Sequence, residues 1–269
     1  EADAVWCARG GSGALRTLSA LDAGGAWAAR VDDARATTLR GSSKEPTPGQ
    51  PPWSRFAPTR RSVPLIGLSD ATALLLARVY DTSPGVSIHG PVVTQLTRLD
   101  EPSALALRAW LKKPTTLPVL RAETPVAHVP GRAEGTLIAG NLALLASCCG
   151  TPEQPSLDGA LLLVEEIGEP AYRIDRMLAQ LARSGALRGL RGLALGSFQQ
   201  CTPEGAAEQV LAWWAKHLGV PCLGGLPVGH GSACWPTALG LRYLLAVDDG
   251  LLAPLEDLQG WLRRTSDGL

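Results

Sequence analysis

The segment VPLIGLSDATALLLARVY, residues 63–80, decides how the fold of this chain is built. A short apolar run leads into the turn Gly67-Leu68-Ser69-Asp70, and residues that favour a helix follow it. The pattern predicts a strand at residues 63–66 and a helix over about residues 71–80. A serine and an aspartate therefore stand at the junction between the two elements.

The position of Ser69 at this junction admits two interpretations. Backbone N–H groups at the start of a helix are free, so a serine there can act as a nucleophile whose oxyanion is stabilised by the next amide. However, Ala71 replaces the second glycine of a G-x-S-x-G motif, and an ordinary N-cap at Ser69 or Asp70 explains the stretch equally well. The segment alone leaves both interpretations open.

The composition is that of an ordinary globular protein. The 269 residues suffice for one large domain or two small ones, and the 25 basic and 25 acidic residues give a net charge of zero. This balance argues against a nucleic-acid or anionic-membrane surface. No apolar stretch approaches the roughly 20 residues of a membrane span, and no signal peptide is recognisable. We therefore expect a cytoplasmic protein.

Cysteine and histidine spacing bears on metals and redox chemistry. The six cysteines include no C-x-x-C pair, and the four histidines do not stand at metal-ligand spacing. We expect small buried thiols in a reducing compartment, and neither a metal nor a cofactor.

Strand and helix patterns alternate along most of the chain, which predicts an α/β fold. We expect an N-terminal α/β domain at residues 1–96, a connection at 97–132, and an α+β C-terminal domain at 133–269. The proline-rich residues 24–62 predict a long surface loop, or a substrate lid that carries Trp53 or Phe56. The clearest patterns are a buried strand at 4–8, a strand at 86–91, an apolar strand at 159–166, an amphipathic helix at 171–185, and a hairpin that turns at Asp249-Gly250.

Three further features could complete a serine-nucleophile site. His230 stands between glycines in PVGHGSA, and Glu165 and Glu166 end a buried strand, where a carboxylate is costly unless it is paired. Gly10 and Gly11 in the RGGSG turn offer backbone donors for an oxyanion, or equally for a phosphate. A loop histidine without a role and a solvated strand end explain the same residues, and the choice between the two glutamates stays open.

Several sequence blocks, taken together in chain order, resemble the LD-carboxypeptidases. This family comprises muropeptide L,D-carboxypeptidases and the related microcin C self-immunity peptidases. The resemblance covers most of the chain outside residues 24–62 and the connecting segment. The blocks are CARGGSGALRTLSALD, PLIGLSDATALL, IHGP, GTLIAGNLALLASCCGT, LDGALLLVEEIGEPAYRIDRMLAQL, GLALGSF and LPVGHG.

The resemblance implies a Rossmann-like N-terminal domain that holds the nucleophile and an α+β C-terminal domain that supplies its partners. It implies a catalytic triad of Ser69, Glu165 and His230, and an oxyanion hole formed by the Asp70 amide and the Gly10-Gly11 turn. It also implies a homodimer. The activity it implies is that of a serine peptidase that removes a terminal D-Ala from a peptidoglycan tetrapeptide during murein recycling in the cytoplasm.

The chain departs from the family pattern near the predicted nucleophile. The sequence shows no counterpart of the α/β unit that normally precedes the RGG turn, so we expect either an N-terminal domain that lacks this unit or a truncated sequence. Residues 24–62 are longer than usual, and Ser12 and Leu68 replace frequent tyrosines. Two alternatives follow. One is a peptidase of the microcin C type that acts on peptidyl or aminoacyl nucleotides, for which Trp53 and Trp235 are candidate aromatic platforms. The other is a degenerate, non-catalytic member of the family.

Overall fold

The computed structural model describes residues 4–24, 64–79 and 86–258. Beyond Gly24, the predicted loop or lid at residues 24–62, with Trp53 and Phe56, lies outside the described residues. None of the helices within the described ranges has the length and apolar character needed to cross a membrane. All six cysteines are free thiols.

The described residues form six α-helices and twelve β-strands, together with short 3-10 turns at Ser69–Ala71 and Val93–Arg98. The helices are α1 (Ala14–Gly24), α2 (Thr72–Val79), α3 (Glu101–Lys112), α4 (Leu142–Ser147), α5 (Ala171–Arg183) and α6 (Ala206–Leu218). The strands are β1 (Val5–Trp6), β2 (Leu65–Gly67), β3 (Ser87–His89), β4 (Leu120–Arg121), β5 (Val126–Val129), β6 (Arg132–Asn141), β7 (Ala160–Ile167), β8 (Gly192–Gln199), β9 (Cys222–Gly224), β10 (Thr237–Leu239), β11 (Arg242–Ala246) and β12 (Leu251–Pro254).

The strands make two sheets, and the predicted α/β fold class is confirmed. The first has four strands in the order β1-β2-β3-β10, with β1, β2 and β3 parallel and β10 antiparallel to β3. The second has eight strands in the order β4-β12-β11-β6-β7-β8-β9-β5, and its central strands β6 to β9 are parallel. Asn141, at the end of β6, stands opposite Glu165 on β7.

The central strands are apolar throughout because both of their faces are covered. Every residue of β7 except the last is buried. Alternate residues of this strand enter two different hydrophobic clusters: Leu162 and Val164 pack with α4 and α5, whereas Leu161 and Leu163 pack with the first sheet and α3. A strand buried on both faces reads as a continuous apolar run, which is why GALLLVEE predicts β7 correctly.

Two predictions about the chain's organisation need correction. The strand expected to be buried at residues 4–8 is only β1, and Val5 is 52% exposed because β1 lies at the edge of the first sheet. Residues 97–132 do more than connect, since β4 and β5 occupy the two edges of the eight-stranded sheet. The short β10, at residues 237–239, in turn joins the first sheet. The division into domains at 1–96, 97–132 and 133–269 stays a prediction.

Helix α2, which follows the Ser69 turn, packs directly on strand β6 of the other sheet. A Cβ added at Gly140 would lie 2.3 Å from the Thr72 Cγ2 atom, so only glycine permits this approach. The contact is also polar, because the Thr72 hydroxyl accepts a hydrogen bond of 3.1 Å from the backbone N–H of Asn141. The contact between Thr72 and the end of β6 therefore fixes α2 closely against the second sheet.

We expect Gly140→Ala to destabilise the protein by about 1–3 kcal/mol, the usual cost of forcing a methyl group into a packed site. The clash involves Cγ2 of Thr72, and Thr72→Ser removes that atom but keeps the hydroxyl that accepts from Asn141. The cost of Gly140→Ala should therefore be smaller in a Thr72→Ser background. Urea unfolding of the four proteins measures this, and an equal cost in both backgrounds would show that the contact is not the cause.

Candidate active site

The structure places Ser69 in an unusual backbone conformation at the end of β2. Its φ is 63°, in the left-handed region that residues other than glycine seldom adopt. The turn is held by close packing, because a Cβ added at Gly10 would lie 2.7 Å from the Ser69 Cβ. A strained strand-to-helix turn of this kind is typical of nucleophilic serines.

The side chain of Ser69 does not cap the following helix. Leu68 takes the N-cap position of the turn Ser69–Ala71, and no side-chain hydrogen bond caps it. Ser69 is half-buried, and within the described residues its hydroxyl makes no hydrogen bond. The N-cap interpretation of Ser69 is therefore wrong, and its hydroxyl is available for chemistry.

Asp70 caps a different helix from its own. Its Oδ2 atom accepts a hydrogen bond of 3.0 Å from the backbone N–H of Ala14, the first residue of α1. This bond ties the RGGSG turn to the Ser69 junction. Gly11 within the turn has a φ of 134°, a conformation that favours glycine.

The backbone of the RGGSG turn faces the candidate nucleophile. Gly10 packs against the Cβ and Oγ atoms of Ser69. The N–H groups of Gly10 and Gly11 donate no hydrogen bond to other described residues. Free donors without a side chain in the way are the groups that an oxyanion hole requires, and Gly10 is the one that lies against Ser69.

Glu165 and His230 form a buried pair. The His230 Nδ1 atom lies 2.6 Å from Oε2 of Glu165, and their side chains are 15% and 1% exposed. Gly229 permits this approach, since its φ is 129° and an added Cβ would lie 3.0 Å from Glu165 Oε2. Gly229 thus serves close packing against the end of β7, whereas Gly231, on the other side of His230, lies against Gln199 of β8.

The pair sets the protonation behaviour of His230. Burial alone would lower the pKa of the imidazole, but the hydrogen bond to Glu165 and the charges of Glu165 and Glu166 outweigh it, so the net pKa is raised. A raised pKa makes the ring a better proton acceptor. The arrangement is that of a histidine base oriented by a buried carboxylate.

Glu166 has a different environment from its neighbour, because successive residues of a strand point to opposite faces. Its Oε1 accepts from Asn141 Nδ2 at 2.7 Å, and its Oε2 accepts from the Ala143 N–H at 2.8 Å. Burial raises the pKa of Glu166, while hydrogen bonds from Ile167, Asn141 and Ala143 oppose that rise. Both oxygens of Glu166 are thus occupied by the junction between β6 and α4. Glu165 is the carboxylate that contacts His230.

His89 is a polar residue of this region to which the sequence reasoning assigned no role. It ends β3 opposite Gly67 of β2, and it is fully buried. Burial lowers its pKa to about 4, so the ring is neutral near pH 7. The available signal was a histidine that ends an apolar strand in IHGP, but the sequence cannot reveal that both ring nitrogens are buried.

The predicted site residues thus fall into two groups. Ser69, Asp70, Gly10 and Gly11 lie together around the end of β2, whereas Glu165 and His230 pair at the end of β7. No hydrogen bond between Ser69 and His230 is formed within the described residues, and the catalytic roles stay predictions.

The alternative predictions concerned aromatic platforms and metal ligands. Trp235 packs beside α3, where it lines an apolar cavity of about 620 Å³ together with Trp110 and Leu117. Trp53 lies outside the described residues. Across residues 4–24, 64–79 and 86–258, no group of three or more His, Cys, Asp or Glu side chains could hold a metal ion.

Comparisons with known proteins agree on one family. The family model of the LD-carboxypeptidase C-terminal domain matches residues 134–245. A putative carboxypeptidase of Streptomyces coelicolor is 37% identical over 254 residues, which are 93% of this chain and 71% of that protein. The murein tetrapeptide carboxypeptidase of Pseudomonas aeruginosa is 34% identical over 250 residues, 87% of this chain and 69% of that protein.

Solved structures give the same result. The crystal structure of muramoyltetrapeptide carboxypeptidase from Oxalobacter formigenes is similar with a TM-score of 0.58 and 30% identity, covering 71% of this chain and 67% of that chain. The microcin C7 self-immunity protein in its wild-type apo state has a TM-score of 0.61 at 18% identity over 71% of this chain and 67% of its own. At 18% identity, the similarity to the microcin C7 self-immunity protein shows a shared fold and nothing more.

We expect the pKa of His230 to lie above its ordinary value of 6.5 and to fall in Glu165→Gln, because burial then acts without the hydrogen-bonded charge. Glu166→Gln, which removes a more distant charge, is the matched control and should lower this pKa less. NMR titration of the imidazole signals measures the three values, and equal falls in both variants would contradict the assignment of Glu165 as the partner.

Proposed function

Because this chain belongs to the LD-carboxypeptidase family, we propose that it is a serine peptidase that releases a terminal D-alanine from a peptidoglycan tetrapeptide. The relative of Pseudomonas aeruginosa, named a murein tetrapeptide carboxypeptidase, supports the substrate class. The observation that carries the proposal is the buried hydrogen bond between Glu165 and His230, 2.6 Å long, in a chain that also holds Ser69 at a strained turn.

The first half of the proposed reaction is acyl transfer to Ser69. The Ser69 hydroxyl attacks the carbonyl carbon of the L,D-peptide bond, and its proton passes to the Nε2 atom of His230. Glu165, bound to Nδ1, holds the ring orientation and stabilises the imidazolium that forms. The oxyanion receives hydrogen bonds from the Asp70 amide and the Gly10-Gly11 turn.

The second half returns the enzyme to its starting state. The tetrahedral intermediate collapses, the C–N bond breaks, and His230 gives its proton to the amine of the departing D-alanine. Water then attacks the acyl ester, with His230 as general base, and releases the shortened peptide and the free Ser69 hydroxyl. The burial of Glu165 supports this assignment, since a carboxylate removed from bulk solvent interacts more strongly with the imidazolium.

The proposal extends to the setting of the reaction. We place the activity in the cytoplasm, in murein recycling, and expect a homodimer, both by resemblance to the family. Every group that the reaction needs is a side chain or a backbone amide, so the mechanism includes neither a metal nor a cofactor.

Metal independence is directly testable. Treatment with a chelator such as EDTA should leave the rate of D-alanine release unchanged. A loss of turnover that zinc restores would contradict the serine mechanism.

Replacement of Ser69 separates a nucleophile from a structural residue. We expect Ser69→Ala to lower the turnover number by about 10³-fold or more, because members of such a triad act as a unit. The midpoint of thermal unfolding should change little, since the hydroxyl makes no hydrogen bond within the described residues. Adding His230→Ala should cost little more activity. The measurement is release of D-alanine from a tetrapeptide by mass spectrometry, together with thermal unfolding.

Ser147→Ala, at an exposed serine that ends α4, is the matched control and should keep full activity. Near-normal cleavage by Ser69→Ala would disprove the serine mechanism. A parallel assay with an aminoacyl-nucleotide mimic tests the alternative substrate class. Cleavage of neither compound by the unmodified chain would identify a non-catalytic member of the family.

A further inference from the structure

Three buried polar groups around the Glu165–His230 pair have atoms without a hydrogen-bond partner. These atoms are both ring nitrogens of His89, the Oε1 atom of Glu165 and the hydroxyl of Ser197. His89 and Glu165 are completely buried. Unpaired polar atoms are rare in protein interiors because each one loses its bonds to water, so a concentration of them at one place requires an explanation.

The three groups belong to one region of the interior. A Cβ added at Gly229 would lie 2.4 Å from the Ser197 hydroxyl and 3.0 Å from Glu165 Oε2, so both side chains approach the same glycine. His89 reaches the region from the first sheet. It stands opposite Thr237 of β10, and the backbone N–H of Trp235, two residues before Thr237, binds the carbonyl of Pro227 in the loop that carries Gly229 and His230. The charges of Glu165 and His230 act on the ring of His89. The region therefore contains one residue from β3, one from β7 and one from β8.

The hydrogen-bonding capacities of these groups are complementary. The second oxygen of the Glu165 carboxylate needs donors, since Oε2 is occupied by His230. A neutral imidazole has one N–H donor and one acceptor, and the Ser197 hydroxyl can donate as well. Internal water bridges buried groups of this kind when they stand too far apart for a direct bond. The His89 N–H, the Ser197 hydroxyl and bridging water then supply donors to Glu165 Oε1 and to the unprotonated ring nitrogen of His89.

We propose that His89 is a positioning residue which, together with Ser197 and through internal water, holds Oε1 of Glu165 so that Oε2 stays on His230. The structural part of this proposal concerns the Glu165–His230 pair alone. Its consequence for turnover rests on the function proposed above. In this proposal His89 acts only through Glu165, and not on the substrate itself.

The chemistry of a buried carboxylate gives the direction of the effect. Without donors at Oε1, the charged form of Glu165 is disfavoured, and the side chain either rotates or takes up a proton. In both cases the negative charge of Glu165 acts more weakly on His230, and the pKa of His230 falls. The charged groups that act on His230 are Glu165 and Glu166, and Glu165 and His230 act on His89. The nearby Cys234 stays neutral, since burial raises the pKa of its thiol to about 12.

The test compares His89→Phe, an apolar ring of similar size, with His89→Gln, which keeps a neutral donor and acceptor. In the full chain, NMR titration should give a lower pKa for His230 in His89→Phe, and a value nearer the original in His89→Gln. Turnover should fall by about 10-fold to 100-fold in His89→Phe with KM unchanged, because a misplaced base affects the chemical step. His128→Gln replaces another histidine, on β5, whose Nε2 is unpartnered, and should alter neither quantity.

An unchanged His230 pKa in a folded His89→Phe protein would overturn the proposal. A loss of turnover that is fully accounted for by a smaller fraction of folded protein would also overturn it. If His89→Phe does not fold, Ser197→Ala decides, since it should also lower the pKa of His230. The titration needs no substrate. If the unmodified chain cleaves no muropeptide but His89→Phe lowers the pKa of His230, the proposed function is refuted and the positioning role is supported. If the chain cleaves muropeptide but His89→Phe leaves the pKa of His230 unchanged, only the positioning role is refuted.

Discussion

The hydrogen bonds of Asn141 hold the two halves of the candidate site together. Its backbone N–H binds the Thr72 hydroxyl at the start of α2, and its side chain binds Glu166 at the end of β7. Its Oδ1 atom also accepts from Leu144 and caps α4. The helix that follows Ser69 and the strand that carries Glu165 are thus fixed to one residue. Buried bonds to a carboxylate are each worth about 1.5–3 kcal/mol.

The neighbouring carboxylates Glu165 and Glu166 have different hydrogen-bond partners because they point to opposite sides of β7. Glu166 accepts hydrogen bonds from Asn141, Ala143 and Ile167, and it orders the ends of β6 and β7. Glu165 accepts from His230. The pairing of β7 with β8 is irregular between Val164 and Glu166, at the position where this division occurs. The structural glutamate keeps the strand end in place for the glutamate that faces the histidine.

Glycines make the site possible by allowing backbone to approach side chains closely. Gly10 lies against Ser69, Gly229 lies against Glu165 and Ser197, and Gly140 lies against Thr72. The result is a densely packed region in which the Glu165 side chain is buried and the His230 side chain is only 15% exposed. In such surroundings the hydrogen bond to Glu165 and the charges of Glu165 and Glu166 outweigh the effect of burial on the imidazole, and the pKa of His230 is raised.

The amino-acid sequence by itself determined the elements whose signal is local. The apolar run of β7 and the amphipathic pattern of α5 predicted their structures, because burial on one or two faces imposes a periodicity on neighbouring residues. Recognisable blocks in chain order predicted the family and the fold class. The residue pattern left Glu165 and Glu166 open, the family resemblance implied Glu165, and the structure shows Glu165 in contact with His230. Only the tertiary structure decided that β4, β5 and β10 join sheets and that His89 is wholly buried. These features depend on partners far away in the chain, and a local pattern carries no information about them.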